Sequence, residues 1–257
     1  MQAIDRVKRA RDTKRPSGKQ FVQQLFEGFV ELHGDRRYGD DKAILAGLAT
    51  LAGMPVTVVA LEKGADTKDK LYRNFGLAHP EGYRKALRLM KQAEKFHRPV
   101  VCLIDTAGAY CGLEAEERGQ GQAIAENLYE MMTLRTPIVS IFTGEGGSGG
   151  ALALAVADEV WMLENAVYSV ISPEGCASIL WKDTSRVAEA AQCLKMTSED
   201  LLALGVIEQI IPEGKGFEAV YQRLRASLPQ TLRRLCALPV PQLLDQRYQR
   251  FRRIGVE

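Results

Sequence analysis

The block Thr143–Leu154, TGEGGSGGALAL, packs five glycines into the seven residues from 144 to 150 and runs straight into an apolar, alanine-rich segment. Glycine buries nothing and costs backbone entropy, so this density makes sense where backbone amides must approach another group closely. The apolar, β-branched run Pro137–Phe142 precedes it and reads as a buried strand. A strand, a glycine turn and a helix start together make a site for an oxyanion. The motif Gly146-Gly147-Ser148-Gly149-Gly150 also fits the G-x-S-x-G elbow of hydrolases. That chemistry needs a histidine after the serine in chain order, and His33, His79 and His97 all precede Ser148. A dyad of Ser148 with Lys182 has nothing to support it. The block lacks the Gly-Lys-Ser/Thr ending of a phosphate loop and the spacing of a dinucleotide fingerprint. Backbone donors remain, at Gly149 and Gly150. Such preorganised donors can contribute about 3–4 kcal/mol to a transition state.

A second glycine loop, Asp105-Thr-Ala-Gly-Ala-Tyr-Cys-Gly112, follows the apolar run Val100–Ile104. In a parallel sheet both loops would leave the carboxyl ends of strands and could face one pocket. A basic, hydrophilic stretch, Lys63 to Gly76, reads as a solvated loop. Its Lys63, Lys68, Lys70 and Arg73 are candidate contacts for the phosphates of a large anionic substrate.

The elements that must position these loops alternate. Strands are expected over 43–51, 55–61, 99–104, 137–142, 159–163 and 206–211. Helices are expected over 82–96, with Tyr83, Ala86, Leu87, Met90, Ala93 and Phe96 on one face, and over 114–134. Strands alternating with helices of this length imply crossovers and a largely parallel sheet. Ser172-Pro173-Glu174 reads as a helix start.

The 257 residues are 46% hydrophobic and 26% charged, the composition of a globular α/β domain with a substantial core. The ends are basic: Arg6, Lys8, Arg9, Arg11, Lys14, Arg15 and Lys19 at the start, Arg247, Arg250, Arg252 and Arg253 at the close. Docked or solvated helices are expected there rather than nucleic-acid arms. The division expected is a basic arm over 1–20, a core domain over 21–237 and a second basic arm over 238–257, after the Leu238-Pro-Val-Pro241 punctuation. No apolar run reaches bilayer length, and five cysteines without a CxxC pair suit a reduced, cytoplasmic chain. Cys, His and Asp nowhere cluster at metal-ligand spacing, so no metal site is expected in this chain.

The strings GDRRYGDDKAI (34–44), NFGLAHPEGYRKALRLM (74–90), IDTAGAY (104–110), EERGQGQAIAENL (116–128), GEGGSGGALAL (144–154) and YSVISPEGCASILWK (168–182) closely resemble the carboxyltransferase α subunit of bacterial acetyl-CoA carboxylase. The resemblance implies a crotonase/ClpP-like spiral of β-β-α units with helical arms at both ends. It implies an α2β2 assembly whose β subunit carries zinc, served by a biotin carboxyl carrier protein and an ATP-using biotin carboxylase. The reaction it implies is transfer of CO2 from carboxybiotin to acetyl-CoA, giving malonyl-CoA for fatty-acid synthesis. Carried over by position, Gly149 and Gly150 are oxyanion donors to biotin, with Gly108 and Ala109 as weaker candidates. The family's second loop reads IDTPGAYPG, so Ala107 and Cys111 here replace two φ-locking prolines. Two alternatives stand beside this reading. An enoyl-CoA hydratase or isomerase of the same superfamily would need an acid after the glycine pair, where Ala151-Leu-Ala-Leu154 supplies none. A non-enzymatic scaffold or nucleic-acid-binding subunit would use the basic ends instead.

Overall fold

A computed structural model describes residues 1–256. Eight strands form one sheet: β1 (Glu27–Glu31), β2 (Ile44–Leu51), β3 (Met54–Leu61), β4 (Val100–Thr106), β5 (Ile138–Gly147), β6 (Glu159–Leu163), β7 (Val167–Ser169) and β8 (Gln209–Ile211). They lie in the order β1-β2-β3-β4-β5-β6-β8, with β7 beside the far end of β5. β1, β2 and β3 are antiparallel, and every later pairing is parallel. The β2–β3 hairpin turns on Ala52 and Gly53, both at positive φ (47° and 77°), the geometry a two-residue hairpin loop requires. Helices Pro80–Lys95 and Gln120–Thr133 cross over between β3 and β4 and between β4 and β5. Each crossover returns the chain to the next parallel strand, and the sheet is largely parallel as its alternation suggests.

The core lies where the apolar runs put it. Every residue of β4 is buried, as are the first nine of β5. On helix Pro80–Lys95, Tyr83, Ala86, Met90 and Ala93 are fully buried, while Phe96, just past its end, is half exposed. The helix expected over 114–134 is two, Leu113–Glu117 and Gln120–Thr133, broken at Gly119 with φ +81°. The strand expected over 206–211 shrinks to β8. The stretch expected to be a solvated loop holds a short helix, Thr67–Tyr72, capped by the Asp66 carboxylate on the Asp69 amide at 2.8 Å. Ser172 caps helix Pro173–Trp181 by accepting from the Gly175 amide at 3.1 Å, as its sequence indicates. Cys102 and Cys176 are buried, whereas Cys111, Cys193 and Cys236 are exposed. No described helix is long and apolar enough to cross a membrane.

Both basic ends pack onto the same body. Arg6 donates to Asn165 Oδ1 at 2.6 Å and pairs with Glu199. At the other end, helix Val240–Arg252 buries Arg247 completely. Its guanidinium forks onto Asp158 with two 2.8 Å bonds and donates to the carbonyls of Met131, Leu134 and Thr136. All five donors of a guanidinium are thereby engaged. Removing one partner of such a pair leaves the other charge buried and alone. Arg247→Met is therefore expected to destabilise the fold by about 3–5 kcal/mol, read from chemical denaturation, and more than the double variant Arg247→Met/Asp158→Leu.

Candidate active site

The glycine block is not a turn. β5 continues through Thr143 to Gly147, so the expected end of the strand at Phe142 is corrected by five residues. Glycine carries no hydrophobic period, and the strand is invisible there for that reason. The absence of side chains is a packing requirement. A Cβ at Gly144 would strike the Asp105 carboxylate, one at Gly146 the Phe142 ring, and one at Gly147 the carbonyl of Ala107. β4 and β5 pair in step as far as Ile104 with Phe142, then jump to Thr106 with Gly146. Asp105 fills the irregularity: its Oδ1 accepts from the Glu145 amide at 2.8 Å and meets Lys63 Nζ at 2.5 Å.

Helix Ser148–Leu152 begins where β5 ends. The amides of its first turn have no acceptor within the helix. At five residues it adds little dipole, so whatever it offers an anion comes from the N–H groups themselves. Gly150 is buried, Gly149 half-buried and Ser148 exposed. Ser148 sits at φ +50°, a conformation that costs a non-glycine residue strain. No hydrogen bond joins its hydroxyl to a histidine or lysine among the described residues.

The two glycine loops meet. A Cβ at Gly150 would fall on the backbone of Gly108 and Ala109, and would lie 2.9 Å from the Tyr83 hydroxyl. Tyr83 donates to the Gly150 carbonyl at 3.3 Å, and burial pushes its own pKa far up, so it stays a neutral donor. The Gly108 amide already donates to Thr106 Oγ1 at 3.1 Å, and Ala109 bridges to Ala78. Gln120 braces the same loop, its Nε2 donating to the carbonyls of Ala78 and Tyr110 at 2.8 Å each, and its buried Oε1 has no partner among the described residues. Beside Gly149 opens a cavity of about 300 Å³ walled by Leu152, Tyr168, Val170, Leu201 and Val206.

The basic candidates divide. Lys63 is committed to Asp105, and Arg73 to Asp69 at 2.8 Å and to the Lys42 carbonyl at 2.9 Å. Lys68 is exposed and Lys70 half-exposed, and neither enters an ion pair among the described residues. Sequence reasoning missed the residues that hold the glycine strand from behind. Arg15 donates twice to the Thr143 carbonyl, at 3.0 and 2.8 Å, and forks onto Glu213 at 3.0 and 2.7 Å. Arg11 grips Glu145 at 2.6 Å and Glu174 at 2.8 Å. Their acidic partners lie far along the chain, and nothing local in the sequence signals the pairing.

Burial raises the Glu213 pKa, but the Arg15 pair and the Asn165 bonds outweigh it, and the net shift is downward. A depressed carboxyl stabilises the fold above its ordinary pKa, near 4.5, and loses that contribution as pH falls below it. Stability measured from pH 6 to about 3 is expected to fall less steeply in Glu213→Gln than in the parent chain. The glycines give a sharper contrast. Gly149→Ala, whose Cβ finds ordinary contact with Ile124 at 3.6 Å, is expected to leave the melting temperature unchanged or raised. Gly150→Ala should cost about 1–3 kcal/mol, because the neighbouring backbone must shift.

Residues 1–255 match the family described as acetyl co-enzyme A carboxylase carboxyltransferase-like. The acetyl-coenzyme A carboxylase carboxyl transferase subunit alpha of Ruminiclostridium cellulolyticum is 60% identical over all of this chain and 99% of its own length. That of Streptococcus sanguinis is 59% identical over 96% of this chain and 97% of its own. Among solved structures, a Pseudomonas malonate decarboxylase hetero-tetramer in complex with coenzyme A superposes with a TM-score of 0.71 at 20% identity, covering 90% of this chain and 91% of that one. Transcarboxylase 12S gives 0.71 at 19% identity over 85% of this chain, which spans 42% of its length. These likenesses show a shared fold, of the crotonase type. With full-length relatives at this identity and a family match from end to end, the chain belongs to the acetyl-CoA carboxylase carboxyltransferase α-subunit family.

Proposed function

We propose that this chain is one half of an acetyl-CoA carboxylase carboxyltransferase, moving CO2 from carboxybiotin to acetyl-CoA to give malonyl-CoA. The observation that carries the reading is the Gly149–Gly150 amide pair, set against the 108–109 backbone with no nucleophile–base pair beside it. Carboxyl transfer needs no side-chain nucleophile. As the carboxyl group leaves biotin as CO2, negative charge develops on the ureido group, which then takes a proton from the acetyl methyl. The carbon freed of that proton bonds to CO2. The protein's task is to hold the charge where it appears.

In this reading the Gly149 and Gly150 amides hold the ureido oxygen. Tyr83, on the Gly150 carbonyl, fixes the tilt of that part of the backbone. Asp105, Arg11 and Arg15 fix the strand from which the donors emerge. The Gly108 amide is engaged by Thr106, so Gly108 and Ala109 serve as the wall against which Gly150 packs, with Ala109 the better placed of the two for a complementary bond. Lys63 and Arg73 are already paired, and contact with a coenzyme phosphate falls to Lys68 and Lys70.

The thioester oxygen would be held by a β subunit, in an α2β2 complex supplied by a biotin carboxyl carrier protein and an ATP-using biotin carboxylase. The zinc expected of the assembly belongs to that β subunit. A hydratase reading is disfavoured because Ala151-Leu-Ala-Leu154 is apolar and packed. A nucleic-acid role is disfavoured because Arg6, Arg11 and Arg15 are spent on the core.

Reconstituted with a β subunit, the chain is expected to decarboxylate malonyl-CoA in the presence of biotin, and to be inactive by itself. Gly149→Val keeps the backbone amide but sets a branched side chain beside it, and is expected to lower that rate by obstructing the oxygen's approach, with Gly149→Ala, whose Cβ meets Ile124 in ordinary contact at 3.6 Å, as the folded control. Turnover by the α chain alone, or hydration of an enoyl-CoA, would sink the shared-site reading.

A further inference from the structure

On helix Pro80–Lys95 the residues Arg84, Arg88 and Lys91 follow at spacings of four and three, which sets them on one face. The loop between β1 and β2 folds over that face with Arg36 and Arg37. Between them is a cleft of about 360 Å³, separate from the cavity beside Gly149. Five cations line it against two carboxylates, Asp35 and Glu126.

Three of the cations are balanced. Arg84 pairs with Asp35 at 2.7 Å, Arg37 with Glu126 at 3.6 Å and Lys91 with Glu130 at 2.7 Å. Two are not. Arg88 donates to the carbonyls of Gly34 at 3.0 Å and His33 at 3.2 Å but meets no carboxylate, and Arg36 enters no ion pair among the described residues. Burial first, and then the like charge of Arg36, pull the Arg88 guanidinium below its ordinary pKa, against a smaller opposing pull from Asp35 and Asp40.

The loop that brings the two together is built rigidly. Asp35 Oδ1 accepts from the amides of Arg37, Tyr38 and Gly39 at 2.9, 2.8 and 3.0 Å, and Asp40 accepts from the Gly34 amide at 2.8 Å. Arg36 is held at φ +66°, a region that non-glycine residues avoid and that persists only where the surroundings over-determine it. The sequence thus places an arginine where glycine would fit best, and points its charge at an unbalanced arginine. A bound anion would supply the countercharge that both arginines lack and give a reason for keeping an arginine in a strained position.

We propose that this cleft binds a phosphate-bearing small molecule on the guanidinium groups of Arg36 and Arg88. Planar guanidinium forks match phosphate oxygens, and a phosphate monoester carries close to the two negative charges that the cleft leaves uncompensated. The ligand is either a coenzyme A ester distinct from the one whose phosphates Lys68 and Lys70 meet in the proposed transfer reaction, or a free nucleotide. Both present the same group to the site.

The test is titration calorimetry on the full chain at low salt, with pyrophosphate as the probe. Saturable binding is expected. Arg36→Gly is the decisive variant, because it relieves the left-handed strain while deleting the charge. It should melt no lower than the parent and bind pyrophosphate at least about tenfold more weakly. Arg253→Glu, which alters charge at the distant C-terminal end, should leave binding intact. Absence of saturable binding, equal binding by Arg36→Gly, or equal loss in Arg253→Glu overturns the proposal. Among ligands, ADP bound more tightly than coenzyme A assigns a free nucleotide, and coenzyme A bound more tightly than dephospho-coenzyme A assigns the 3′-phosphate. Because the assay needs no β subunit and no turnover, its failure is distinct from failure of the carboxyl-transfer reading.

Discussion

The structure turns on two backbones brought closer than any side chain would allow. β5 reaches Gly147 against the Ala107 carbonyl, and Gly150 lies on Gly108 and Ala109. Each glycine in a regular element costs about 0.5–1 kcal/mol relative to alanine, so the stretch from Gly144 to Gly150 is expensive. The cost is offset upstream. The first five residues of β5 are fully buried between β4 and β6, and that pairing carries the glycine segment forward as a continuation of a strand already secured.

A strand without side chains cannot be located by packing, and polar groups locate it instead. Arg15 holds the Thr143 carbonyl, Asp105 the Glu145 amide, and Arg11 the one carboxylate the strand possesses. Lys63 in turn steadies Asp105. Partly buried pairs of this kind add little net stability, because desolvation consumes most of the attraction. What they add is position, and position is what donor groups aimed at a developing charge require. Stability comes from the apolar sheet, and precision from the charges behind it.

This division explains what the sequence disclosed. Strands β2 to β6 and the helix starting at Pro80 are legible because apolar residues recur at the right period, and Ser172-Pro173 because capping chemistry is local. β1 has a half-exposed pattern and β7 has three residues, so neither carries a period to read. Gly119 breaks a helix that its neighbours would continue, a choice visible only once φ is known. The glycine loops stood out by composition and were expected to face one pocket, as Gly150 does against Gly108 and Ala109, but how closely the backbones approach was not legible. Nor were the roles of Arg11 and Arg15, read only as part of a docked or solvated helix, because their partners lie 128 to 198 residues away.

The exposure of the proposed donors bears on how such a site would work. Gly149 is half-buried and Ser148 exposed, so water reaches one side of the amide pair. An amide facing water is already solvated, and its interaction with an anion is screened. Oxyanion donors reach their full worth where water is excluded. The surface beside them is correspondingly unfinished. Val170 is 76% exposed, Ile179 70% and Leu180 63%, close in sequence to the Tyr168 and Ser169 that wall the cavity at Gly149. Of these only Val170 lines the cavity at Gly149, and an exposed apolar side chain there suits a surface that a second body covers. If the proposed donor role holds, covering it would bury Val170 and dry the amides in one step, so that assembly and activation of the proposed donors would be the same event.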